Sequence, residues 1–587
     1  MAASRTTNPA MVVGPDDLAW LRQLESRATL TMSSDEGLQV RQVLRHSDAA
    51  LAAPLPRSTS LSLGARSSAD RMILLRAAME VAADGKSPAV EGGRVATSSA
   101  TYARRIRDEV LTWTSMRSWG STAPIVTGQD SLLETAEVAS TVALGYSLVP
   151  DAFSRAQRST VRAALVSKAL APACWGYTNR SWMVESTSNW GVVVNAGMTM
   201  AAMVVADQND AAAGAVFAQA LPRLRRAVAT TASDGGSPEG PNYTWLVHRY
   251  LALVSSSLLL SYGDAGGRQV PRVPAAAQHI LDVTGPSGET FDYADADGAY
   301  IRPYLALWNA RQGGDPLGDW LGQRLLDQRK VDGLLLLWAR PETSKPTCQP
   351  LARTYESAGV AMLRSSWEED ATWVAVRGGS QVAGHRHLDL GTFVLEMDGR
   401  RFVDEYGQDE YSLPGYTGPL GSSSPWRLTT EAHSTLMRRS VQQPPTALAP
   451  LSSPTLGPSS RHITVDMRQA LQAREASRQI VLAGEQVTTV DRVRLSSPAE
   501  LRWSAHTRAS VKLAREGRSA LLTIDGRTVE ARLGSSTPGA FRVVDAPAAP
   551  RGGRSNQGWR TLILDVGTRP ARAGTHTAAT VVTFVPR

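Results

Sequence analysis

The spacing of apolar residues changes once along the chain, and that change divides it. Up to about residue 340 apolar positions recur at helical spacing, as in "DRMILLRAAMEVAADG", "SLLETAEVASTVALGYSLVP", "AGAVFAQALPRLRRAVATTAS" and "WLVHRYLALVSSSLLLSYG". Several of these stretches close at a glycine or at Pro150, where a helix does not continue. No repeat of fixed period runs through them, which disfavours a regular solenoid. A long succession of amphipathic helices has to close into a layered bundle or toroid. Around "ARPETSKPTCQPLARTYESAG", Ala339 to Gly359, prolines interrupt the pattern and the period becomes two. "ATWVAVRGG", "GTFVLEMDGRRFVDEYG", "EQVTTVDRVRL", "ELRWSAHTRASVKLAREGRSALLTIDGRTVEARLG" and "AATVVTFVPR" then read as strands joined by turn residues. The expectation is a multidomain α + β chain: a helical domain over 1–345 and an antiparallel β-sandwich over 346–587.

Asp398-Gly399 is a two-residue hairpin signal. Zipping outward from it pairs Met397 with Arg400, Leu395 with Phe402 and Phe393 with Asp404. Just upstream, "GSQVAGHRHLDLGTF" sets His385, His387 and Asp389 at alternating positions in a chain with only 9 histidines among 587 residues. His387 lies six residues before Phe393, about 20 Å along a straight strand. A continuous ladder would therefore hold Asp404 away from both histidines. Contact requires "AGHRHLDLG" to leave the sheet and curl back, with Gly384 and Gly391 as the natural bends. The histidines are accordingly expected on a loop.

Composition adds less. The balance is 42% hydrophobic and 20% charged, with no run long enough to span a bilayer. A net charge of +8 is scattered in arginine-rich pieces such as "RRIR" and "RLRR". It serves solubility or draws an acidic ligand. No zinc-finger, helix-turn-helix or RNP-like pattern supports nucleic acid. Cys174 and Cys348 either pair or are inert small hydrophobes. "MAASRTTNPAMVVGPDDLAW" lacks an apolar signal core. That leaves a secreted or envelope protein whose signal has been removed, with a cytoplasmic protein as the alternative.

Five separated stretches carry a resemblance. "TSNWGVVVNAGMTMAAMVVAD" holds Asn189 and Trp190, and "DGGSPEGPNYTWLVHRY" holds Glu239, Tyr243 and Trp245. "GHRHLDLGTF", "RFVDEYG" and "EAHSTLM" follow in order, the last with His433. Together, over roughly residues 130 to 510, they resemble the heparinase II/III-like polysaccharide lyases, including related alginate lyases. The resemblance implies an incomplete α/α toroid followed by an antiparallel β-sandwich. It also implies β-elimination next to a uronic acid in an acidic polysaccharide, leaving a 4,5-unsaturated uronate. The proton removed lies α to a carboxylate and is hardly acidic until donors offset that charge. A Tyr or His then takes it, and a neighbouring acid protonates the leaving oxygen. By resemblance Asn189 is the carboxylate neutraliser, Tyr243 the catalytic tyrosine, and His385 the base or its partner. His387, Asp404 and His433 correspond to the ligands of a zinc ion that some members hold beside the site. Trp190, Glu239, Trp245 and Tyr411 are expected to bind substrate, with Tyr416 near them.

Other readings stay open here. Asn189 is also a favoured helix cap, Tyr243 a possible packing anchor, and Asp389 a loop brace. Trp175, Trp182, Trp190 and Trp245 are either core residues or stacking platforms for sugars. Trp190 stands where some members carry a histidine, and Ser147 where an aspartate is common, which leaves the stereochemistry of elimination open. A glycoside hydrolase using Glu239 and Glu185, or a non-catalytic polysaccharide binder, are the alternatives. Oligomeric state is not legible.

Overall fold

A computed structural model describes residues 11–28, 45–57, 61–81, 97–120, 131–206, 210–231, 234–313, 316–328, 330, 332–340, 349–421, 423–457 and 459–587. The last described α-helix ends at Trp338, and described strands begin at Ala352. Two compact units result. The first comprises Met1–Ser233, Trp245–Ala277 and Arg302–Pro346; the second comprises Asp234–Thr244, Gln278–Ile301 and Thr347–Arg587. Cys348 lies outside the described residues, and Cys174 is a free thiol. No described helix is long and apolar enough to cross a membrane.

The first unit is helical because its apolar residues wrap right round some helices and stripe others. In α1, Leu132–Leu148, all but three residues are buried, so the helix lies inside the unit. α2, Asn189–Val205, is buried along its length except at Trp190. A Cβ on Gly197 of α2 would meet the Ala136 carbonyl of α1 at 2.5 Å, so the two backbones pack too closely for any side chain there. α3, Ala211–Thr231, continues through Pro222. α4, Pro241–Gly267, opens on a proline, whose missing N–H costs nothing in the first turn, and kinks at Gly263 with φ 63°. The first residues of α4, up to Thr244, belong to the second unit and the rest to the first.

The strands of the second unit pair antiparallel. One sheet runs in the order β1 (Ala352–Tyr355), β2 (Val360–Arg364), β3 (Trp373–Arg377), β4 (Phe393–Met397), β5 (Arg400–Val403). A larger sheet is centred on β6 (Ser460–Asp466), β7 (Glu475–Ala483), β8 (Gln486–Leu495) and β9 (His576–Pro586). A third joins Leu436–Arg438, Glu500–Thr507, Arg560–Gly567 and Arg542–Asp545. β7 and β8 alternate buried and wet residues, the mark of a sheet with one face in the core. Val376, Phe393, Trp503 and Phe584 come from all three sheets into a single core.

The hairpin departs from its expected register. Asp398 and Gly399 take φ 52° and 67°, the left-handed pair that a tight hairpin turn demands. Met397 faces Arg400 as expected, but Leu395 faces Val403, not Phe402. Phe402 is an extra residue, a bulge between the pairs Glu396–Arg401 and Leu395–Val403. Beyond a bulge every residue moves by one, so the expected pair Phe393–Asp404 is lost. Asp404 instead bridges to His506.

Candidate active site

The segment from Gln381 to Thr392 contains no strand, so the histidines do sit on a loop. Its sharpest bend falls on His385 itself, at φ 58°, and a second falls on Gly391, at φ 78°. A left-handed φ on a non-glycine residue is strained and needs support. Support comes from the neighbouring strand and the segment 292–296. The Arg377 guanidinium donates to the Asp389 carboxylate at 2.9 Å, both fully buried, and Ala294 N–H donates to the other Asp389 oxygen. Asp295 N–H donates to the His385 carbonyl. Asp389 is therefore the loop's brace. Tyr293 donates to the Ser237 carbonyl and so fixes the stretch that carries Glu239 and Tyr243.

At the centre lies a residue the sequence reading passed over. Asp295 accepts from His385 Nδ1 at 2.9 Å, His387 Nε2 at 3.0 Å, the Tyr411 hydroxyl at 2.8 Å and the Tyr416 hydroxyl. Four donors fill the lone-pair directions of a carboxylate. Burial pushes this carboxyl up, but hydrogen bonds from His385 and His387 hold it below the usual carboxylate range. An ionised carboxylate only accepts, so His385 carries its proton on Nδ1. Nε2 is left as the free lone pair, 4.0 Å from Glu239 Oε1.

The Tyr243 ring stacks on the His385 imidazole, centroids 3.7 Å apart and planes within 16°. Its hydroxyl lies 2.6 Å from that of Tyr411. Burial, then the neighbouring Tyr243 and Asp295, push the Tyr411 phenol far up, so it stays protonated. Tyr411 gives its single proton to Asp295 and accepts from Tyr243. The result is a chain of hydrogen bonds, Tyr243 to Tyr411 to Asp295, beside the imidazole that the same carboxylate orients.

The set expected to hold zinc assembles differently. His387 has committed Nε2 to Asp295, and its ring lies 5.3 Å from that of His433. The carboxylate on His433 is Glu405, which accepts from Nδ1 at 2.5 Å and also from Thr392 and Ser434 N–H. Asp404 is held by Arg508 at 2.6 Å and lies 3.7 Å from Arg401. The bulge at Phe402 accounts for the exchange, because it brings Glu405 to the position that an unbroken ladder would give Asp404. His433 Nε2 is buried without a partner, but one spare nitrogen does not make a cage. Among the described residues no group of three or more His, Cys, Asp and Glu side chains is arranged to hold a metal ion.

The remaining predicted residues lie in the first unit. Asn189 does not cap α2: Ser188 does, its hydroxyl accepting from Trp190 N–H, and Asn189 is buried in the first turn. Trp190 is half-buried, its ring 4.8 Å from that of exposed Trp182. Trp245 is half-buried, with the Arg249 guanidinium 6.0 Å over its ring. Glu185 is clasped by Arg223 at 2.7 Å and Arg226 at 2.6 Å.

Residues 349–571 match the family described as heparinase II/III-like, C-terminal. No curated protein matches the chain in sequence. Among solved structures, the heparan sulfate lyase of Pedobacter heparinus superposes with a TM-score of 0.58 at 13% identity, over 90% of this chain and 77% of that one. A heparinase III gives 0.59 at 13% identity, over 100% and 87%. The chondroitin AC lyase of Streptomyces coelicolor A3, solved with chondroitin sulphate, gives 0.56 at 14% identity, over 97% and 83%. The shared fold is the α/α toroid followed by an antiparallel β-sandwich. In sequence the likeness to the heparinase II/III-like family covers residues 349–571, and the fold is shared beyond them.

Proposed function

We propose that the protein is a polysaccharide lyase that cleaves an acidic, uronate-containing polysaccharide by β-elimination. The observation that carries this reading is the Asp295-oriented His385 stacked on Tyr243. His385 Nε2 takes the proton α to the uronate carboxylate. The electron pair released forms the double bond, the bond to the leaving glycosidic oxygen breaks, and Tyr243 gives that oxygen its proton. Asp295 and Glu239 face the imidazolium that forms and offset its charge. His385 then releases the proton it took, and Tyr243 takes one back, which restores both groups. Asn189 keeps the role that the resemblance gives it, as neutraliser of the uronate carboxylate, and Trp190 and Trp245 that of sugar contacts. A polymer substrate suits a secreted or envelope protein.

Base and acid on two stacked rings approach the sugar from one side, which is the syn arrangement. That favours uronates whose departing hydrogen and oxygen share a face, as in glucuronate and mannuronate, over their C5 epimers. A hydrolase is less well served. Hydrogen bonds from Arg226 and Arg223 outweigh burial and hold the Glu185 carboxyl below its usual range, which unsuits it as a general acid.

Product masses test the reading. Elimination yields two fragments whose masses sum to that of the substrate, whereas hydrolysis adds one water. Unsaturated fragments from polymannuronate or hyaluronan, absent with His385→Ala, are expected. Fragments carrying the added water would overturn the proposal.

A further inference from the structure

Beside the large sheet lies a cleft of about 640 Å³. Strand register places its charged residues on one face. Arg569 pairs with Thr577 of β9, Thr577 with Arg494 of β8, and Arg494 with Glu475 of β7. In the adjacent row Ala579 pairs with Arg492, Arg492 with Ser477, and Ser477 with Asp466. Cross-strand partners share a face, so Arg492, Arg494 and Arg569 stand together, and Arg468 lines the same cleft. Arg468 is paired with Asp466 at 2.5 Å and Arg494 with Glu475 at 3.2 Å. Arg492 and Arg569 are exposed and enter no ion pair among the described residues. Four guanidiniums against two carboxylates leave a surplus of two positive charges in a concave site.

We propose that this cleft is a second binding site for a carboxylated polysaccharide chain, which rests on the lyase reading for the identity of the polymer. Arg569 and Arg494 lie on strands two apart, about 10 Å, and Arg494 and Arg492 are about 7 Å apart along one strand. Such a row of cations fits an extended chain that carries carboxylates at regular intervals. Guanidinium binds carboxylate through paired hydrogen bonds, and Asp466 and Glu475 keep two of the four oriented. Pairs this exposed are weak and exchange readily for ligand carboxylates. No aromatic ring lines the cleft, so it lacks the stacking platforms that single-stranded nucleic acids use. A second grip on a long polymer raises its effective concentration at the protein without altering the chemistry.

The test is isothermal titration of the full-length protein with sodium alginate, with hyaluronan and with neutral dextran, for wild type and for Arg492→Gln/Arg569→Gln. Circular dichroism and melting temperature are checked first, and the single Arg492→Gln serves as the milder variant. The cleft predicts that dextran does not bind, and that the double variant loses affinity for at least one uronate polymer by on the order of tenfold. The loss shrinks at high salt. In turnover, KM for the long polymer rises while kcat and the KM of a short oligosaccharide hold. Equal affinity in wild type and variant overturns the cleft and leaves the lyase reading standing if fragments still form. Arginine-dependent binding with no fragments from any polymer upholds the cleft and sinks the lyase reading. Tighter binding of duplex DNA than of either uronate polymer overturns the ligand class.

Discussion

Asp295 determines what the residues around it can do. Its carboxylate requires the proton of His385 on Nδ1 and so leaves Nε2 basic. Asn at this position would present an amide N–H₂ to one of the donors it now serves. If the amide faces His385, Nδ1 becomes the acceptor and Nε2 carries the proton, the tautomer that cannot take another. We therefore expect Asp295→Asn to lower kcat by roughly 10²- to 10⁴-fold while KM stays within a few-fold. A structural role alone would show as a fall in melting temperature with kcat per folded molecule unchanged. Tyr411→Phe breaks the link from Tyr243 to Asp295 but spares both rings. Its expected loss in kcat is smaller, on the order of tenfold. None of this was legible beforehand. Asp295 sits in "FDYADADGAY", 90 residues before His385, in a stretch with no period to attract notice.

At the scale of elements, one inserted residue rewrote an assignment. The Asp398-Gly399 turn, the strands on either side and the loop character of "AGHRHLDLG" could all be read from residue types. The bulge at Phe402 could not, because nothing in "GRRFVDEYG" distinguishes a bulged residue from a paired one. Its effect is to exchange Asp404 for Glu405 beside His433. Past the hairpin the chain turns at Gly407, with φ 65° and room for no side chain: a Cβ would lie 2.3 Å from the Ala296 carbonyl oxygen. Gly407→Ala should cost more than the ~1 kcal/mol of a left-handed alanine alone, because the clash adds to it. Ala296 adjoins Asp295, so activity should fall along with the melting temperature. A variant with wild-type melting temperature would show that this turn does not hold Asp295 in place.

At the scale of the whole molecule, the change of period near residue 340 foretold the fold, because helices and strands bury their apolar residues with different spacings. What it could not foretell is that 234–244 and 278–301 join the β-rich second unit, since contacts between distant segments leave no periodic trace. Those segments carry Glu239, Tyr243 and Asp295, so much of the candidate site is borrowed from sequence that precedes the strands. They also carry a pH response. His279 is buried, with neither ring nitrogen hydrogen-bonded, and burial lowers its pKa to about 4 against the nearby charge of Asp234. The unfolded chain binds this proton near pH 6.5 and the folded chain does not. Stability is therefore lost as pH falls from about 6.5 towards 4. His279→Phe, which keeps the edge-to-face contact on Tyr355, should flatten the melting temperature across that window. An unchanged slope would assign the acid sensitivity to other groups.

The most direct measurement is ultraviolet absorbance while purified protein is incubated with uronate polysaccharides of both C5 configurations. Elimination creates a conjugated double bond that absorbs, and hydrolysis creates none. The account predicts a rise on a glucuronate or mannuronate polymer that disappears in Tyr243→Phe and His385→Ala and falls steeply in Asp295→Asn. A rise that survives in Tyr243→Phe and His385→Ala, or reducing ends that accumulate without absorbance, would contradict it.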